Sequence, residues 1–109
     1  MKIGSMRYRV QLERFGEALD AYRQAIRTWA AIGTYWADIV TLSGRELTNA
    51  QQRVAQTSHR LMMRYLGDGG ITPKDRLVCK GRQFHVLWID NVDERNRQIN
   101  VYCEEKLTP

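Results

Sequence analysis

The stretch Trp36-Ala37-Asp38-Ile39-Val40-Thr41-Leu42-Ser43-Gly44-Arg45-Glu46-Leu47 decides how this chain is read. From Thr34 to Leu42 the residues are aromatic and β-branched, the composition of a half-buried strand. Ser43 then meets the N-cap preference, and Glu46 three residues on completes a capping box. In that box the Glu46 carboxylate reaches back to the Ser43 amide while the Ser43 hydroxyl accepts from the Glu46 amide. From Arg45 to Gln56, Leu47, Ala50 and Val54 share one face, with Arg45, Asn49, Gln52, Arg53 and Gln56 elsewhere. This predicts a helix of about three turns whose apolar stripe is too narrow to dock firmly. A strand therefore turns at a Ser-Gly corner straight into a marginal helix.

Working outward, Met6 to Arg14 alternates Tyr8, Val10 and Leu12 against Arg7, Arg9, Gln11 and Glu13, the pattern of a half-buried antiparallel strand. Gly16 to Ile32 behaves otherwise. Ala18, Leu19, Tyr22, Ile26 and Trp29 recur at three- and four-residue spacings, which taken alone predicts a helix. On the other side, His59 to Leu66 is a strand with Leu61, Met63 and Tyr65 on one face. Gly67-Asp68-Gly69-Gly70 and Thr72-Pro73-Lys74-Asp75 are turns. Arg76 to Lys80 and Gln83 to Ile89 flank Gly81-Arg82 as a hairpin, with Leu77 and Cys79 facing Phe84, Val86 and Trp88. Gln98 to Glu104 alternates Ile99, Val101 and Cys103 against Gln98, Asn100 and Tyr102. The charged run Asp93-Glu94-Arg95-Asn96-Arg97 joins these last strands and is expected to be exposed. Five or six short strands and one helix predict a mainly β fold. It is a small antiparallel β-barrel with one short helix in a long excursion, Ser43 to Ser58, between strands 2 and 3.

A chain of 109 residues is long enough for one domain, 1–109, with a modest core. Its 43% hydrophobic and 27% charged content is that of an ordinary globular protein. No apolar run approaches the ~20 residues of a membrane span, and the N-terminus has no apolar signal-peptide core. Synthesis in a reducing cytoplasm, with no membrane partner, is the expectation. Cys79 and Cys103 both sit in strand-like apolar patterns and read as buried small hydrophobes. The net charge of +5 is gathered in residues 1–14, 45–64 and 74–82, whereas 83–106 has an acidic excess. Such asymmetry suits a polyanion, or a contact in which one copy's basic patch meets its neighbour's acidic one.

No constellation for catalysis emerges, and no catalytic, cofactor-binding or metal-ligating residue is assigned. His59 and His85 lack metal-ligand spacing to any Cys, Asp or Glu set. Cys79 with His85 lacks an oriented third group. The glycine run 67–70 has no following Lys-Ser/Thr, and Glu104 and Glu105 point to opposite strand faces. Binding is the live class. Arg60 and Arg64 share a face with Met62 and Leu66, and Trp36 and Asp38 share one with Val40. Aromatic and basic residues on a small barrel would suit single-stranded nucleic acid. Against that, three of the five tyrosines, with Trp29 and Trp88, fall at core spacing.

The order of these pieces resembles the phage head-tail adaptor family, also called head-closure or head-tail joining proteins. It runs from Gly4, Met6, Arg7, Arg9 and Val10 through Thr28-Trp29, Trp36-Ala37, Ser43-Gly44-Arg45-Glu46 and Ala50-Gln51-Gln52. It continues through His59 to Tyr65, Ile71-Thr72-Pro73, Asp75-Arg76 and Gly81-Arg82-Gln83-Phe84, and ends at Asp93-Glu94-Arg95 and Cys103-Glu104-Glu105. The resemblance implies a compact β-barrel with a hairpin loop in place of the 16–27 helix and a strand starting near Thr28. It implies a structural virion protein, made in the bacterial host cytoplasm, that forms a connector ring joining portal and head to tail. Its partners would be itself, portal or adaptor and tail proteins, and packaged DNA held in the channel without sequence specificity. Carried over residue by residue, the subunit and channel contacts would be Leu42, Ser43, Gly44, Arg45, Glu46, Leu47, Ala50, Gln51, Gln52 and Arg53, with Arg45 and Arg53 near DNA. Asp93, Glu94, Arg95 and Arg97 would form an exposed charged turn. The alternative is a small β-barrel that binds nucleic acid as a free monomer.

Overall fold

The alternation that begins at Tyr8 runs further than the sequence suggests. In the computed structural model, β1 (Tyr8–Leu19) and β2 (Ala25–Thr41) are followed by α1 (Gly44–Arg53) and β3 (His59–Arg64). Then come β4 (Asp75–Cys79), β5 (Arg82–Asn91), a 3-10 turn (Val92–Glu94) and β6 (Gln98–Lys106). The structure describes residues 7–19, 21–67, 70–94 and 97–106. Of the positions singled out above, Gly4, Met6, Asp68, Gly69, Arg95 and Asn96 lie outside these, as do the side chains of Ala18, Leu19, Ile26 and Asp93.

The strands pair in the order β1-β2-β3-β6-β5-β4, and β1 pairs back onto β4, so the sheet closes into the predicted barrel with every pairing antiparallel. Closure removes the open edges that would otherwise recruit other strands. Every second residue points inward: Leu61 and Met63 from β3, Leu77 and Cys79 from β4, Ile99, Val101 and Cys103 from β6. Phe84 is the largest fully buried side chain. Tyr8, Tyr35 and Tyr65 pack against this core, and both cysteines are buried and unoxidised. Cys79 faces in while His85, opposite Arg76, faces out, so the two are not a pair.

Both ends of the barrel are closed by charge. At one end buried Asp75, on the inner face with Leu77, accepts from Arg14 Nε at 2.9 Å and from a second guanidinium nitrogen at 3.0 Å, and from the Thr72 amide at 2.9 Å. At the other, His59 lies 3.6 Å from Glu105 and packs edge-on to Phe84, and Arg82 Nε donates to Glu105 at 2.7 Å.

Residues 16–27 form neither the helix that periodicity predicts nor the loop the resemblance implies. β1 and β2 stay paired from Gly16↔Thr28 to Leu19↔Ala25, and 21–24 form the turn, where Arg23 adopts φ 59°. The apolar spacing arises because the chain doubles back, and cross-strand hydrogen bonds win over local helix propensity. β4 pairs with β1 only from Gln11 to Arg14, and β3 with β2 only from Ala37 to Thr41. Beyond those registers the hairpin is a two-stranded arm leaving the barrel, and it gives the molecule its long dimension of 50 Å against 27 and 24 Å.

Two β-bulges overturn the core assignments of Trp29 and Trp88. Between Val86 and Trp88 the β5–β6 register slips at Leu87. Val86 opposite Cys103 points in, whereas Trp88 opposite Tyr102 points out. One extra residue inverts the parity of everything after it. The β1–β2 register slips likewise at Ile32, between Leu12↔Gly33 and Glu13↔Ala31. Trp29 consequently lies on the outer surface against Phe15 and His85, with the Arg76 guanidinium 4.3 Å from its ring centre.

Candidate functional site

One row of side chains crosses the outer wall of the barrel. The registers Val40↔Arg60, Arg60↔Tyr102 and Tyr102↔Trp88 place these four residues side by side on β2, β3, β6 and β5. Trp88 and Tyr102 stack with ring centres 3.7 Å apart and planes 8° from parallel. This contact exists because the Leu87 bulge turned Trp88 outward.

Over this row lies α1. Its chain leaves β2 at Thr41, turns at Leu42, whose amide donates to the Ser58 carbonyl at 3.1 Å, and enters the helix through Gly44 at φ 59°. Only Ala50 of the helix is buried. Polar pins do the rest: Glu46 pairs with Arg60, the Arg53 guanidinium sits 4.4 Å from the centre of Trp88, and Gln51 Nε2 donates to the Thr57 carbonyl at 3.3 Å. The predicted capping box does not form. Ser43 occupies the N-cap position with extended backbone but makes no side-chain cap bond, and the Glu46 carboxylate that would complete the box pairs with Arg60 instead. A buried or half-buried guanidinium offers a charge-assisted bond, and that is stronger than a neutral amide's.

Between helix and wall lies a groove of about 520 Å³ lined by Arg45, Glu46, Asn49, Ala50, Arg53, Trp88 and Tyr102. Among the described residues the buried side-chain polar atoms without a partner are Arg60 Nε, Trp88 Nε1 and Asn100 Oδ1, all on this side of the barrel. Of the predicted contact residues, Ser43, Gly44, Arg45, Gln51, Gln52 and Arg53 are exposed, and Glu46 and Leu47 are half-buried. Leu42 and Ala50 are buried and anchor the excursion instead. Glu94 and Arg97 are exposed in the charged turn, at the barrel end from which the arm projects. Sequence reading missed Arg60, Trp88 and Tyr102 as partners of the helix. For Tyr102 and Arg60 the outward parity was legible, but their meeting with α1 was not.

The sequence profile of one family, described as phage head completion protein, matches residues 1–106. The chain belongs to the phage head completion protein family. This agrees with the resemblance read from the residues, and makes the chain a phage head structural protein. Two solved structures share the fold of this head completion protein. Protein SF1141 from Shigella flexneri 2a, known in solution, superposes with a TM-score of 0.76 at 22% identity, each chain being covered at 100%. A chain from the virion of a native gene transfer agent particle superposes with a TM-score of 0.61 at 18% identity, covering 94% of this chain and 96% of that one. No curated protein sequence matches the head completion protein. No helix among its described residues is long and apolar enough to cross a membrane.

Proposed function

We propose that this head completion protein is a non-enzymatic connector subunit. Copies of it form a ring that joins the portal-bearing head of a tailed phage or prophage to the tail and helps retain the packaged DNA. The observation that carries this reading is where the apolar surface has been left. In a family of head completion proteins, the exposed large apolar side chains among the described residues, Phe15, Tyr22, Ile32 and Trp36, all belong to one hairpin rather than to a cleft. Apolar side chains concentrated on one exposed element mark an interaction site. The polar-pinned helix adds a second surface, where Arg45 and Arg53 present positive charge to DNA without reading its sequence. Portal or adaptor and tail proteins are the proposed partners, and the virion is the place of action. The gene transfer agent neighbour, itself a chain of a virion particle, points the same way.

The monomeric nucleic-acid barrel fares worse. Base stacking needs open aromatic faces. Tyr102 and Arg53 are each centred on the Trp88 ring within 4.4 Å and so occupy opposite faces of it, Arg9 covers one face of Trp36 at 5.1 Å, and Trp29 is hemmed by Phe15, His85 and Arg76. The test is deletion of the gene followed by electron microscopy of the lysate. Filled heads that lose DNA and lack tails, rescued by the gene in trans, are the expected result. Tailed, DNA-filled particles in the deletion strain would overturn the proposal.

A further inference from the structure

The arm and the groove sit at opposite ends of β2, and this separation rules out one occupant of the groove. From Ala25 at the arm tip to Val40 beside the helix, the strand spans about 50 Å at ~3.3 Å per residue, matching the molecule's longest dimension of 50 Å. A chain cannot bring its own tip back to its own groove. A second copy can, and we infer that the groove between α1 and the outer wall receives the hairpin tip of a neighbouring copy, with Tyr22 as the inserted side chain. This rests on the connector reading above and specifies the contact by which its subunits associate.

Three features support the neighbour as occupant. Tyr22, at the tip, is 85% exposed, the most exposed large apolar side chain described. The arm has only two strands, because β3 and β4 stop at its base, and a two-stranded ribbon is marginal in water without a surface to lie on. The groove in turn offers what a tyrosine takes: the Tyr102 ring and the edge of Trp88 as aromatic wall, and the exposed Arg45 guanidinium for the electron-rich ring face or phenolic oxygen. Its volume of about 520 Å³ falls within the roughly 300–1,000 Å³ of sites that enclose small groups. A tip at one end and a socket at the other make a heterologous contact, which closes into a ring when the rotation per copy allows.

The test uses assembled particles. The deletion strain is complemented with the double variant Tyr22→Cys, Asn49→Cys, and purified particles are oxidised mildly and run on a non-reducing gel. Cys79 and Cys103 are buried, so they do not compete. A ladder of disulfide-linked multimers, absent when either substitution is made alone, is the expected result. Particles that contain the double variant only as monomer overturn the inference while leaving the connector reading intact. If wild-type chain is missing from particles altogether, it is the connector reading that has failed, and the inference falls with it. Should the double variant not assemble, Tyr22→Phe and Tyr22→Ser decide the matter. Phe keeps complete particles at the wild-type count, whereas Ser lowers them roughly tenfold, the effect of losing an anchoring aromatic. Equal counts for the two overturn the proposal.

Discussion

Asp75 shows how much one side chain can hold. It is buried, yet three hydrogen bonds reach it, two from Arg14 and one from the Thr72 amide, and together they join β1, β4 and the turn before β4. Burial by itself would raise its carboxyl, but the Arg14 bonds, the Thr72 bonds and the Arg14 charge outweigh burial and hold it below the usual carboxylate range. Arg14 is 41% exposed and returns to solvent if the partner is lost, so removal is less costly than for a wholly buried pair. Asp75→Ala should therefore destabilise by about 2–3 kcal/mol in urea unfolding. The histidines act in the other pH range. Burial pushes His59 down, with Glu105 opposing and Arg82 assisting, and burial also pushes His85 down, helped by Lys106 and Arg76. Unfolded histidine titrates near ~6.5, so the folded state takes up fewer protons below that value. The stability these neutral rings contribute is complete above it and is lost as pH falls. The urea midpoint should drop between pH 7.5 and 5, and the double variant His59→Gln, His85→Gln should flatten that slope. Loss from Asp75 begins only lower, as pH falls below ~4. A midpoint that rises on acidification would refute the assignment.

At the scale of the element, α1 is a helix whose start is misread by propensity alone. A Ser three residues before a Glu is a capping box on paper, but Glu46 is claimed by Arg60 on β3. Removing the Ser43 hydroxyl should then cost no more than a few tenths of a kcal/mol, well under the ~1 kcal/mol of a working cap. The next residue matters more. Gly44 enters the helix at φ 59°, where a Cβ meets no neighbouring atom but the backbone itself is strained. Gly44→Ala should cost about 1–2 kcal/mol. Thermal unfolding of the two variants side by side checks both, and the order Ser43 above Gly44 would contradict the geometry.

At the scale of the molecule, barrel and arm are separable in energy. The core lies within the closed sheet, and from Phe15↔Trp29 to the tip the strands of the arm pair only with each other. Replacing residues 18–26 by a two-residue Asn-Gly turn should leave the unfolding free energy within about 1 kcal/mol, since a lone ribbon contributes little. The same variant should fail to rescue the deletion strain. A barrel that unfolds on losing the arm would show that the arm is part of the core.

Strict alternation in short segments was enough to determine a mainly β barrel, because inward and outward faces are set by a period of two that each strand carries in itself. The helix and its place between Thr41 and His59 were legible because its periodicity is local, although the capping box that marked its start does not form. Trp29 and Trp88 were not legible. Whether they face in or out depends on extra residues at Ile32 and Leu87, and a bulge is defined only against the partner strand. The arm was hidden likewise, since 16–27 satisfies a helical stripe until cross-strand pairing claims its backbone. Tertiary pairing alone decided these, and with them the groove beneath α1, because each depends on which distant residue lies opposite.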